Sequence, residues 1–431
     1  MKLAPRLAVL LAAAVVVTAC APQTSDNASS DKDEKSGTLR VWLFQEVNNT
    51  PKQKVVDSVL ADFEKAHKDT KVTVEYIPVE TRAQRMKAAF NDPKSAPDVV
   101  EYGNTDTAGY VKDGGLADVT KDFASWSEAK DTDPTAKQSV TVNGKIYGAP
   151  YFVGVRALYY RTDVFKELGL EVPKTMAELA STAREIRAAK PKLYGLVVGG
   201  AFTYGAMPFI WASGGELATG KGGSYASAID SAAAQKGIKA YTSLFSDDNC
   251  PAAKCAGMGG NDTITAFAAG QAGMAIGGDF NHAAVEAGKV KGEYAVVPLP
   301  GVASGSIAPA FAGGNNLGVL KSTSHRTLAV DLMEQLASKK TQEEMFGAMG
   351  FLPTFTDVRQ QVAAQEPYTK PFVQTLAADT KFVPATPAWS QIDSSLVLPT
   401  MLQEVISGKK DVATASKDAA TKMNDAFGSA G

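Results

Sequence analysis

The stretch Thr38-Leu39-Arg40-Val41-Trp42-Leu43-Phe44 is a short apolar run of the kind that forms a buried strand, and the segments after it decide the fold class. Thr50-Pro51 reads as a helix start, with Thr as N-cap and Pro at the first helical position. Val56, Val59, Leu60 and Phe63 recur at i, i+3, i+4 and i+7, the core face of that helix. Lys71 to Pro78 (KVTVEYIP) alternates as a strand, Thr81 to Phe90 is helical, and Pro97-Asp98-Val99-Val100 opens a third strand. The order β-α-β-α-β implies parallel pairing through right-handed crossovers, an α/β lobe. Ligands of such sheets sit beyond the carboxyl ends of the strands. That directs attention to Gln45-Glu46 and to Tyr102 through Asp106.

A second pattern starts after Gly148-Ala149-Pro150. Val153 to Tyr160 is strand-like, Thr175 to Ala189 is a helix, and Gly195 to Gly199 is a buried strand. Ala206 to Ser213 is helical, while Ala272 to Gly278, Tyr294 to Leu299 and Asn316 to Leu320 are strands. The last third is mainly helical, and Ala415, Ala419, Met423 and Phe427 make a stripe read as core. At 431 residues the chain needs two or more lobes. Lys+Arg 44 against Asp+Glu 46 gives net −2, which offers no electrostatic case for nucleic acid. His67, His282 and His325 have no ligand-pair spacing, which argues against a His-built metal centre, and no cofactor is expected.

The N-terminus reads as a processing signal: Lys2 and Arg6, an apolar run from Leu7 to Val17, then small residues. The run is about half the ~20 residues a spanning helix needs. Val17-Thr18-Ala19-Cys20 resembles the lipobox of bacterial lipoproteins, which implies cleavage after residue 19 and lipidation of Cys20. Residues 1–20 are then signal. Residues 21–36, lacking aromatic and branched aliphatic side chains, are expected to be a flexible tether. Outside the membrane, Cys250 and Cys255 are expected to form a disulfide acting as a local clip.

Enzyme signatures fail. There is no H-E-x-x-H, G-x-S-x-G or G-x-G-x-x-G after a strand, and Gly215 to Gly222 is a P-loop lacking its Ser/Thr. Carboxylates are plentiful, so a cell-surface glycoside hydrolase with a cleft carboxylate pair stays open as the alternative. The loops instead place aromatics beside amides and carboxylates: Phe44-Gln45-Glu46, Tyr102 to Asp106, Tyr151-Phe152, Asp279-Phe280-Asn281 and Pro387-Ala388-Trp389. Sugars bind through this mixture, their C–H faces on rings and their hydroxyls on side-chain donors and acceptors.

In these and other stretches the chain resembles the sugar-binding proteins of bacterial ABC importers, the maltose-binding-protein-like family. The stretches include Pro97 to Asn104, Gly114-Gly115-Leu116-Ala117-Asp118, Tyr147 to Tyr151, Tyr159 to Phe165, Ile276 to Phe280 and Leu402 to Lys409. Gly103-Asn104-Thr105 and Gly154-Val155-Arg156 look most like the actinobacterial branch that takes up chitobiose-type oligosaccharides. The resemblance implies two α/β lobes joined by crossings, with the sugar in the cleft between them. It puts the crossings near Val153 to Arg156, Tyr294 to Val297 and Gly350 to Pro353. Lobe one is then 37–153 plus 297–350, and lobe two 154–296 plus 351–431.

The ligand-binding set expected on these grounds is Gln45, Glu46, Asn104, Thr105, Asp106, Tyr151, Arg156, Tyr204, Asp279, Phe280, Asn315 and Trp389. Trp389 is expected to be the main stacking platform. Phe280 stands where many relatives carry Trp, keeping a ring face and losing a donor. Trp42 and Trp126 are read as core, and Trp211 is undecided. The implied protein is a monomer and not an enzyme. It is held to the outer face of the cell membrane through Cys20, and it passes an oligosaccharide to the transmembrane subunits of an ABC permease.

Overall fold

The computed structural model describes residues 33–78, 81–221 and 224–429. Cys20, the signal segment and residues 21–32 of the expected tether lie outside the described residues. Residues 33–36, expected within that tether, are instead pinned. The Asp33 carboxylate accepts from the Thr327 backbone N–H at 3.0 Å, at the start of helix Arg326–Leu336, and Glu34 N–H donates to Ser324 O at 2.7 Å. An acidic group is stabilised there by the free N–H groups of the helix end.

Strands β1 (Gly37–Phe44), β2 (Thr70–Ile77), β3 (Val99–Gly103) and β4 (Ala149–Gly154) enter a first sheet, joined later by β10 (Gly313–Val319). Its order is β2-β1-β3-β10-β4. β1 pairs in parallel with β2 and β3, as the β-α-β-α-β reading requires, and β10 runs antiparallel between β3 and β4. Strands β5 (Arg156–Arg161), β6 (Tyr194–Val197), β7 (Ala272–Gly278) and β8 (Tyr294–Val297) form a second sheet, ordered β8-β5-β7-β6. A short parallel ladder joins β9 (Ala310–Phe311) to β11 (Thr380–Lys381).

Three local expectations are corrected. The strand expected over Val153 to Tyr160 is two strands in different sheets, broken at Val155. The chain does not change sheet near Tyr294–Val297. β8 is paired with β5 in the second sheet, and the chain enters the first sheet only at Gly313. Leu299, Ala308 and Phe311 pack into the second sheet's core, so apolar burial holds the intervening segment there. Helix α1 (Thr50–Ala66) takes Asn49 as its N-cap, which moves Thr50 to the first helical position.

Each sheet has its own core. Leu39, Val41, Val56, Phe63 and Leu317 belong to the first; Leu158, Tyr159, Ile186, Ile210 and Trp211 belong to the second. The carboxyl-terminal helix Val412–Ser429 buries the stripe Ala415, Ala419, Met423 and Phe427 in the second core. At Phe351 the chain still packs in the first core, and at Leu352 in the second. Trp126 is half-buried between the rings of Phe123 and Phe355, and Trp42 lies under the Arg85 guanidinium at 4.5 Å. Cys250 and Cys255 are disulfide-bonded with their Cα atoms 6.1 Å apart. Among the described residues no helix is long and apolar enough to cross a membrane.

Candidate functional site

The carboxyl ends of β1 and β3 carry one wall of the site. Glu46 follows β1 by two residues and accepts from Lys52 Nζ at 3.4 Å. Lys52 lies in the first turn of α1 on its apolar face, and its side chain is fully buried. It also donates to Glu101 at 2.9 Å and to Phe44 O at 2.8 Å. The other oxygen of Glu101 accepts from Asn315 Nδ2 at 2.6 Å. Burial pushes the Glu46 carboxyl up, against the pull of Lys52. Tyr151 lies in the first core with Lys52 Nζ 5.9 Å from its ring centre, and its hydroxyl has no hydrogen-bond partner in the protein. Gln45 is exposed.

After β3 the chain turns through Asn104 and Thr105, both half-buried, to Asp106, the N-cap of helix α3 (Thr107–Lys112). Asn104 donates to Ala312 O at 3.0 Å, which fixes its amide. Asp106 is buried, and its Oδ2 has no hydrogen-bond donor; Arg82 Nε stands 3.7 Å away, an ionic contact too long for a hydrogen bond. Burial raises this carboxyl to about 6, although Arg82 opposes the rise. Arg82 opens helix α2 (Arg82–Asn91) and donates to Asp393 at 2.9 Å.

The facing wall comes from the second sheet. The Arg156 guanidinium, at the start of β5, lies over three rings: Tyr204 at 5.0 Å, Phe202 at 5.4 Å and Phe280 at 5.4 Å. Such an aromatic enclosure holds a cation through the ring quadrupoles. Burial brings its pKa down to about 10. Tyr204 sits on helix α4 (Thr203–Ala212), which begins three residues before the expected start, and stacks on Phe311 at 4.7 Å. The loop before α4 is buttressed by the disulfide segment: Gly200 N–H donates to Cys255 O at 3.1 Å, and a Cβ on Gly200 would stand 2.3 Å from Ala256 O.

Two expected contacts lie elsewhere than in an open cleft. Asp279 is fully buried, and its two oxygens accept from the backbone N–H groups of Val155 (2.8 Å) and Leu352 (3.2 Å). It therefore fastens two places where the chain passes between the sheets. Burial raises its carboxyl to about 7, with those two hydrogen bonds opposing. Trp389, expected as a displayed platform, is 1% exposed in the second core because helix α5 (Pro387–Ser394) turns it inward. Its indole N–H has no hydrogen-bond partner in the protein. The next residue of α5, Ser390, meets α3 so closely that a Cβ on Gly109 would stand 2.3 Å from its Oγ.

The structure thus brings together Glu46, Tyr151 and Asn315 around Lys52 and Glu101, and Tyr204, Phe280 and Phe202 around Arg156. Sequence reasoning missed Lys52, Arg82, Glu101, Phe202 and Asp393. Only Lys52 left a readable signal, a cation four residues before Val56 on the helix's apolar face. Glu46 and Glu101 are held by Lys52 and Asp279 by backbone amides, while Asp106 makes only a long ionic contact with Arg82. Among the described residues no three His, Cys, Asp or Glu side chains are grouped to hold a metal ion.

Known proteins share this architecture. The chain is 26% identical over 423 residues to the diacetylchitobiose binding protein DasA of Streptomyces coelicolor, covering 96% of this chain and 95% of that protein. It is 27% identical over 441 residues to the galactooligosaccharide-binding protein of Bacillus subtilis, covering 97% of each. A solute-binding protein of an ABC transporter from Thermotoga lettingae, solved with α-D-tagatose, superposes with a TM-score of 0.81. It is 26% identical, covering 91% of this chain and all of that one. The profile described as bacterial extracellular solute-binding protein matches residues 48–343. With well over half of its length matched, and with a two-sheet architecture shared with solute-binding proteins, the chain belongs to the bacterial extracellular solute-binding protein family.

Proposed function

We propose that the protein captures an oligosaccharide between two lobes, residues 37–154 with 313–351 and residues 155–312 with 352–429, and passes it to an ABC permease. The ligand is bound and released unchanged. The observation that carries this reading is an aromatic cluster about Arg156 on the second sheet's side of the site, together with buried polar atoms on α5 and at the start of α3 that have no partner in the protein. Tyr204, Phe202 and Phe280 supply the rings. Asp106 Oδ2 and Ser390 Oγ are buried without hydrogen-bond partners in the protein, at the start of α3 and on α5, which packs against it. Buried polar atoms are ordinarily paired, and a hydroxylated ring with C–H faces satisfies both sets at once. Glu46, Asn104, Thr105, Arg156 and Asn315 add further polar groups, with Gln45 at the rim. The relatives' names supply the class: one binds diacetylchitobiose and one galactooligosaccharides.

The free protein exchanges between open and closed arrangements of the lobes, and ligand capture shifts it to the closed one, which the permease distinguishes. The lipobox supports anchoring at Cys20 on the outer face of the membrane, where the protein acts as a monomer; two or more acyl chains make such an anchor stable. The test is calorimetry with diacetylchitobiose, galactooligosaccharides and maltotriose, with the sugars analysed afterwards. Saturable heat with the sugar recovered intact is expected. Cleaved sugar, or no heat with any of the three, refutes the proposal.

A further inference from the structure

The Arg82 side chain spans the boundary between the two packing cores. Its helix, α2, buries Met86 and Ala89 with Val100 and Tyr102 of the first sheet. Asp393 lies on α5, whose Ala388, Trp389 and Ile392 belong to the second core. The Arg82 guanidinium donates to Asp393 Oδ2 at 2.9 Å and stands 3.7 Å from Asp106 Oδ2. One cation is therefore shared by a carboxylate on its own side and one on the other. The close approach of Gly109 on α3 to Ser390 on α5 lies on the same seam.

We propose that Arg82 is an interlobe latch, held ready by Asp106 and engaging Asp393 when the lobes close, so that it sets how long a bound ligand is retained. This rests on the two-lobe binding reading. An exposed ion pair would contribute little to such a closure. Here the side chains of Arg82 and Asp393 are 19% and 25% exposed, and Asp106 is 6% exposed, so water screens the group weakly. Asp106 serves the latch from its own lobe: its buried charge keeps the guanidinium at the seam when the lobes part. Opening then separates Arg82 from Asp393. Because the contact forms on closure, it acts after encounter, and its loss raises the dissociation rate while leaving association unchanged.

The decisive variants are Asp393→Lys, which turns the attraction into repulsion, and Arg82→Lys, which keeps the charge and loses the planar fork. Small-angle scattering of the ligand-free protein is expected to give a larger radius of gyration for Asp393→Lys than for the wild type. Thermal midpoints should coincide, since residue 393 lies at a partly exposed end of its helix. With diacetylchitobiose, dissociation should be roughly three- to tenfold faster in Asp393→Lys and intermediate in Arg82→Lys, at equal association rates. An unchanged scattering curve overturns the latch. So does a lowered midpoint with unchanged dissociation, which would make the pair a purely structural contact. If diacetylchitobiose does not bind the wild type, the sugar reading fails, while the ligand-free scattering still decides the latch.

Discussion

Replacing Trp389 with alanine tests how the site is built. The side chain is 1% exposed and ranks among the largest fully buried ones, packed in the core that also holds Ile392, Leu398 and Met423. Truncating a buried Trp removes its transfer free energy and leaves a cavity, together about 3–5 kcal/mol. An unfolding entropy of roughly 2 cal/mol/K per residue over the whole body turns this into a fall in midpoint on the order of 5 °C, and more if the second lobe unfolds separately. Trp389→Phe keeps most of the volume and discards an indole N–H that has no acceptor in the protein, so it should cost only about 1 kcal/mol. Calorimetric scans of the two ligand-free variants, with sugar titrations corrected for the folded fraction, separate the possibilities. A displayed stacking platform would leave the alanine variant's midpoint unmoved and abolish sugar binding. That result would refute the packing argument.

Other substitutions probe the same architecture. Asp279 has a folded-state pKa of about 7 against an ordinary 3.8, so its contribution to stability is full below about pH 4 and is lost as pH rises through about 7. The wild type should therefore gain stability relative to Asp279→Asn between about pH 8 and about pH 5, and a pH-independent difference in midpoint would contradict the assignment. Lys52→Met leaves Glu101 buried without its cation and should destabilise by about 3–5 kcal/mol, measured by urea unfolding; a neutral result would mean the pair is not desolvated. The Cys250→Ser/Cys255→Ser double variant opens a short loop and should cost about 2 kcal/mol. Sugar affinity should weaken as well, because that segment supports the loop before Tyr204, and unaltered affinity would separate the clip from the site.

Much of this protein is written locally. The parallel pairing of β1 with β2 and β3 follows from alternating strand and helix patterns, and the stripe ending at Phe427 follows from helical periodicity, because burial of one face imposes the period. Order of motifs likewise carried the family, and the strand ends directed attention to the loops that hold Glu46 and Asn104. Residue type could not say which way a side chain faces once its segment is placed. Trp389 and Asp279 look like contacts in sequence, yet one is turned into a core by its helix and the other is consumed by two backbone amides far away in the chain. Arg82 and Asp393 are 311 residues apart, and Lys52 and Glu101 are 49 apart. The first pair exists only because elements of the two sheets meet, the second because α1 crosses the end of a neighbouring strand of its own sheet, and buried charge finds its partner through space rather than along the chain.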